Sequence, residues 1–169
     1  MTPVTFKENR VQLFGNLPEV GISAHPFKLV KSDLSEVTLD SFAGKNLVLN
    51  IFPSIDTPVC AAAARKFNEK AESLPNTLVL AISKDLPFAL NRYCAAEGLD
   101  DIIPLSAFRD SDFGEKYGVL LMDSPLKGLF ARAVVIIDTK GKVVYTELVP
   151  DIGQEPDYDK AAAALDNLK

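Results

Sequence analysis

The chain has 169 residues, 47% of them apolar and 24% charged, with a formal net charge of −5 at pH 7. A mildly acidic chain with scattered basic residues has no electrostatic pull on phosphate backbones or anionic membranes, which excludes nucleic acid and membrane surfaces as partners. Two cysteines are too few for a disulfide scaffold, and a single histidine, His25, leaves no soft metal-ligand set, so no metal or other cofactor is expected.

The N-terminal stretch carries Lys7, Glu8 and Arg10 and has no apolar core, so it does not read as a secretory signal. No apolar run approaches the ~20 residues of a membrane span. A cytoplasmic protein is expected, with one domain over residues 1–169. Residues 4–7 and 10–14 alternate with period two around Glu8 and Asn9, which predicts an N-terminal β-hairpin. Residues 26–39 predict a second pair of short strands, turning at Ser32 and Asp33. Residues 40–44 read as one helical turn closed by Gly44.

The pattern then changes. Residues 47–52 form a nearly continuous apolar run, the mark of a strand covered on both faces. Val59, Ala63, Phe67, Ala71 and Leu74 fall at helical spacing, and residues 77–82 are a second buried strand. A helix over 87–97 is stopped by Gly98; a short strand over 102–105 and a short helix over 110–117 follow. Residues 133–137 and 143–149 flank a hairpin signal at 138–141. Tyr158, Ala161, Ala162, Leu165 and Leu168 predict a closing amphipathic helix. Strand, helix, strand, helix, then a late antiparallel hairpin and a last helix is an α/β order with a mixed sheet, and a thioredoxin-like fold suits it best. Right-handed crossovers are expected to place helices on both faces.

Two cysteines and one arginine carry the candidate chemistry. Thr57 is a good N-cap and Pro58 falls at the first helical position, where its missing N–H costs nothing. Cys60 then stands in the first turn, near unsatisfied N–H groups and the positive end of the helix dipole, a place that favours a thiolate. The competing reading is a small apolar filler. Asp56 also opposes the anion. Cys94 shares one helical face with Leu86 and Leu90, so it is either core or a second reactive thiol. Arg132 opens an apolar strand, where a guanidinium either snorkels to water or faces an anion at the same sheet edge as Cys60. Arg92 reads as solvated and His25 as structural. Asp110, Asp112 and Glu115 read as a charge set at a helix start, and the acidic stretch 151–159 as a solvated loop and cap.

Pro53, Thr57 and Cys60 together resemble the active-site motif of peroxiredoxins. The run from Asn50 to Cys60, with 85–89, 92–98, 125–129 and 155–158, is similar to the bacterial thiol peroxidase branch over essentially the whole chain. That resemblance implies a thioredoxin-like fold with an added N-terminal β-hairpin. It implies Cys60 as the peroxidatic thiol and Cys94 as the resolving one, joined in an intramolecular disulfide. It carries peroxide-polarising roles onto Thr57 and Arg132 and a shielding role onto Pro53. It further implies reduction of hydrogen peroxide and organic hydroperoxides, recycling by thioredoxin, and a homodimer packed near the active-site edge. Pro58 departs from the branch, where glycine is common. The alternatives from other classes are a low-turnover thiol redox sensor, a dithiol–disulfide exchange enzyme (although no C-x-x-C is present), and a structural protein with two core cysteines.

Overall fold

A computed structural model describes residues 3–168. The chain opens with a hairpin of β1 (Val4–Phe6) and β2 (Asn9–Val11). Its turn is made by Lys7 and Glu8, with φ of 49° and 67°, one position earlier than the sequence suggests. Asn9 supports that turn from the strand, its Nδ2 donating to the Lys7 carbonyl at 3.0 Å.

Among the described residues a seven-stranded mixed sheet follows. Its strands are β3 (Lys28–Val30), β4 (Glu36–Thr38), β5 (Asn46–Ile51), β6 (Thr77–Ser83), β7 (Ile102–Ser106), β8 (Ala133–Ile137) and β9 (Val143–Leu148), in the spatial order β4-β3-β7-β6-β5-β8-β9. β5, β6 and β7 run parallel, and β8 closes antiparallel on β5 with Ile51 opposite Ala133. The helices are α1 (Pro58–Ala71), α2 (Pro87–Glu97), α3 (Phe113–Lys116) and α4 (Tyr158–Asp166). None is long and apolar enough to cross a membrane.

Alternation along β5 divides the core. Leu47, Leu49 and Ile51 point to a layer that also holds Leu80, Ile82, Phe113, Tyr117 and Phe130. Val48 and Phe52 point to a layer that holds Cys60, Phe67, Leu90, Cys94 and Leu165. Helices α1, α2 and α4 therefore share one face, and the single turn of α3 lies on the other with the 3-10 turn Leu39–Phe42. Both crossovers of the β5-α1-β6-α2-β7 unit run in one direction across the sheet, so the right-handed rule puts α1 and α2 on the same side. Each large apolar side chain buried there contributes roughly 1.5–3 kcal/mol.

Two local expectations are corrected. The short helix begins at Phe113 and not at 110, because Asp110 Oδ1 accepts the backbone N–H groups of Asp112 and Phe113 at 2.8 and 2.9 Å and caps the turn from outside. It ends at Lys116, and Gly118 follows just past the cap, with a φ of +65° that suits glycine and a site where a Cβ would lie 2.1 Å from the Asn16 backbone. Leu86 is half exposed at the N-cap of α2, so only Leu90 and Cys94 of the expected stripe face the core.

The N-terminal hairpin is stitched to the segment after β9. Thr5 donates its N–H to the Pro150 carbonyl at 2.8 Å and accepts from the Ile152 N–H at 3.0 Å. Its hydroxyl donates to Asp151 Oδ2 at 2.6 Å. The acidic stretch expected to be solvated thus docks the hairpin and, through Asp157, caps α4 by accepting from the Lys160 N–H at 3.0 Å.

Candidate active site

β5 delivers the chain through buried Phe52 and Pro53 into a loop that ends at Thr57. Thr57 has the extended backbone of an N-cap, yet its hydroxyl caps nothing: Oγ1 donates to the Ser54 carbonyl at 2.9 Å. With its proton so committed, the oxygen keeps its lone pairs as acceptors. Pro58 occupies the first helical position and Cys60 the third, where the sulfur is fully buried.

Arg132 stands immediately before β8, on the same face of the sheet as Val134, and is 1% exposed. It does not reach water. Its Nε and Nη2 donate to the Ile152 carbonyl at 3.1 and 2.9 Å, and Nη2 also donates to Cys60 Sγ at 3.2 Å. A buried guanidinium without such partners is costly, and the carbonyl and the sulfur offset that cost. Nη1 is buried and has no hydrogen-bond partner among the described residues. The structure thus joins Cys60 to Arg132 and sets Thr57 one turn away at the helix start. Asp56 faces solvent 3.5 Å from Arg92, both well exposed, so Arg92 is solvated as expected and the pair contributes little.

Cys94 lies on α2 in the same apolar layer as Cys60, and both thiols are free. Burial, with a smaller effect from the Asp100 carboxylate, pushes the Cys94 thiol up to about 11. The seam between the helices is closed by Tyr93, whose hydroxyl accepts from Arg65 Nη1 at 2.8 Å and donates to the Ala61 carbonyl at 3.4 Å. Cys60 leans toward the start of β8, whereas α2 packs on β7. Both cysteines are free, so the two sulfurs are not bonded to each other in this structure.

Three residues at this edge escape a reading of the sequence. Ile152 acts through its carbonyl, which leaves no side-chain signal. Asn50 is wholly buried, with neither amide atom paired among the described residues, on β5 beside the strand that carries Arg132. Asp85 accepts from Ser54 Oγ, the Ile55 N–H and Ser83 Oγ at 2.8, 2.7 and 2.7 Å. Its place just past the carboxyl end of a parallel strand, where open α/β sheets gather their ligand-handling groups, was the available clue. His25 is structural as expected: its ring meets Tyr117 edge-on at 5.8 Å and its carbonyl accepts the Tyr117 hydroxyl.

A thioredoxin-like sheet with a buried cysteine at a helix start and a guanidinium on its sulfur defines a peroxiredoxin-type thiol protein. The redoxin family model matches residues 19–162. A thiol peroxidase of Corynebacterium glutamicum is 56% identical over 98% of this chain and 99% of its own length. One of Mycobacterium tuberculosis is 53% identical with the same coverage. The crystal structure of a peroxiredoxin-like protein from Aquifex aeolicus superposes with a TM-score of 0.94 at 40% identity, covering 100% of this chain and 98% of that one. The chain belongs to the redoxin family, in its thiol peroxidase branch.

Proposed function

We propose that this chain is a thiol-dependent peroxidase that reduces hydrogen peroxide and organic hydroperoxides, with Cys60 as the attacking group and Cys94 as the resolving thiol. The observation that carries this reading is the Arg132 Nη2–Cys60 Sγ contact of 3.2 Å in a site closed to bulk water. The guanidinium N–H donates to the sulfur that is to attack, and in a buried site such an interaction is stronger than in water.

The Cys60 thiolate attacks one peroxide oxygen and the O–O bond breaks. The sulfur becomes a sulfenic acid, and the other oxygen leaves as hydroxide or alkoxide and takes up a proton to give water or alcohol. Thr57 Oγ1, already donating to Ser54, accepts the peroxide O–H. Arg132, through Nη2 and the unpaired Nη1, stabilises charge as it moves to the leaving oxygen. Buried Pro53 shields the sulfur from water. The Cys94 thiol then condenses with the sulfenic acid, forming the disulfide and releasing water. In this reading the first turn of α1 unwinds, frees Cys60 from Arg132 and brings the two Cα atoms within the roughly 7 Å that a disulfide requires.

Thiol–disulfide exchange with an external dithiol restores both thiols, and thioredoxin is the donor this family reading favours. A cytoplasmic location suits two free thiols. Leu86 and Phe88, 51% and 64% exposed beside Asp85, are the surface on which we place a homodimer contact at the active-site edge.

Two variants separate the roles. Cys60→Ser is expected to consume no peroxide. Cys94→Ser is expected to complete one turnover and hold a sulfenic acid that a dimedone-type nucleophile traps, read by intact mass after one equivalent of peroxide. Equal single-turnover rates in Cys60→Ser and the parent would overturn the assignment.

A further inference from the structure

We infer that Asp85 is a positioning residue, a carboxylate latch that holds the Cys60 loop against the start of the Cys94 helix and sets the balance between peroxide reduction and disulfide closure. The inference rests on the peroxidase reading above.

Asp85 joins the end of β6 to the start of α2, and its backbone is fixed from the sheet. Its N–H donates to Ser83 Oγ at 3.2 Å, and its carbonyl accepts the Ser106 hydroxyl. Ser83 and Ser106 are wholly buried on β6 and β7. Oδ2 adds a bond from Ser83 Oγ at 2.7 Å on the same rigid side. The remaining bonds reach across to the other loop, from Ser54 Oγ to Oδ1 and from the Ile55 N–H to Oδ2. One carboxylate therefore bridges a fixed base and the loop that leads into α1.

Beyond the latch, a short chain of bonds ends at the reacting groups. The Ser54 carbonyl accepts both the Thr57 N–H at 3.1 Å and the Thr57 hydroxyl at 2.9 Å. Ser54 Oγ also accepts the Asp56 N–H at 3.2 Å. The Thr57 carbonyl accepts the Ala61 N–H at 3.0 Å and so begins the helical ladder beside Cys60. Freeing Ser54 and Ile55 from Asp85 releases the Thr57 hydroxyl from its peroxide-facing orientation. It also loosens the turn that must unwind for Cys60 to leave Arg132.

The two consequences have opposite signs. A loosened loop aligns peroxide less well, so Cys60 is oxidised more slowly. It opens more readily, so Cys94 closes the disulfide faster and less sulfenic acid survives to meet a second peroxide. A residue that merely supports the fold would slow both steps or neither.

The test is rapid-mixing single turnover with hydrogen peroxide, following Cys60 oxidation and disulfide closure separately by quench with a thiol-alkylating reagent and intact mass. For Asp85→Ala, Cys60 oxidation is expected to slow about tenfold and disulfide closure to speed up by a similar factor, the scale of one lost charge-assisted hydrogen bond. Sulfinic acid formed at excess peroxide should fall. Asp85→Asn, which can still accept the Ile55 N–H, should lie between. Ser54→Ala removes one strand of the latch and should show the same opposed shifts at smaller size, which decides the matter if Asp85→Ala does not fold. Rates that move together, or that do not move while the parent reduces peroxide normally, overturn the latch. A parent that fails to reduce peroxide overturns the peroxidase reading instead.

Discussion

Cys94 is the residue whose burial has the plainest energetic consequence. Its thiol sits 8% exposed in an apolar layer and is pushed up to about 11, above the ordinary thiol range near 8.5. In the unfolded chain the group ionises as pH passes that ordinary value. In the folded chain it keeps its proton until about 11. Between those limits the folded state binds more protons, so stability falls as pH rises. Below about pH 8 both states are protonated and Cys94 contributes no pH dependence. Discounted for solvent screening, the loss between pH 8.5 and pH 10 is on the order of 1 kcal/mol. Urea denaturation of the reduced parent and of Cys94→Ala at the two pH values is expected to show a steeper alkaline loss in the parent. Parallel losses would mean that the thiol is solvated in the folded protein. In the peroxidase reading proposed above, the same burial keeps Cys94 protonated, and so a poor nucleophile, until the structure around it opens.

At the scale of elements, the start of α1 carries a choice made in sequence. Pro58 pre-sets the backbone of the first helical residue and lowers the entropy of the open loop. Pro58→Gly is expected to cost about 1 kcal/mol of stability by chemical denaturation and to speed disulfide closure about fivefold, since the opened turn regains its freedom. Unchanged closure would mean that another segment unwinds.

This helix start was legible because cap, proline and cysteine are neighbours in the chain, and Arg132 was legible because a cation is conspicuous in an apolar strand. Asp85 was not, since its partners Ser54 and Ile55 lie on a different loop and meet it only when β5 and β6 pair. The hairpin turn was placed one residue late because Asn9 is the stronger turn former by composition, although it supports the turn from the strand. The sidedness of the helices followed from strand order, which a run of elements along the chain does not contain.

Across the whole molecule, the N-terminal hairpin meets the segment after β9, which in turn holds the arginine on Cys60. Thr5 on β1 binds Asp151 by its hydroxyl and brackets Pro150 and Ile152 by its backbone. Ile152 presents the carbonyl that takes two N–H groups of Arg132, and Arg132 holds Cys60. The N-terminal hairpin is therefore linked to the guanidinium through Ile152. Thr5→Val tests this path, because valine keeps the strand preference and both backbone bonds while deleting the hydroxyl–carboxylate bond. The expected stability loss is about 1.5–3 kcal/mol, the range for a hydrogen bond to a charged group. If the path is continuous, kcat/KM for hydrogen peroxide also falls several-fold under conditions where the variant is fully folded, with the reductant step unchanged. A loss of stability with kcat/KM intact would confine the hairpin to holding the fold and leave the Arg132 angle to β8 alone.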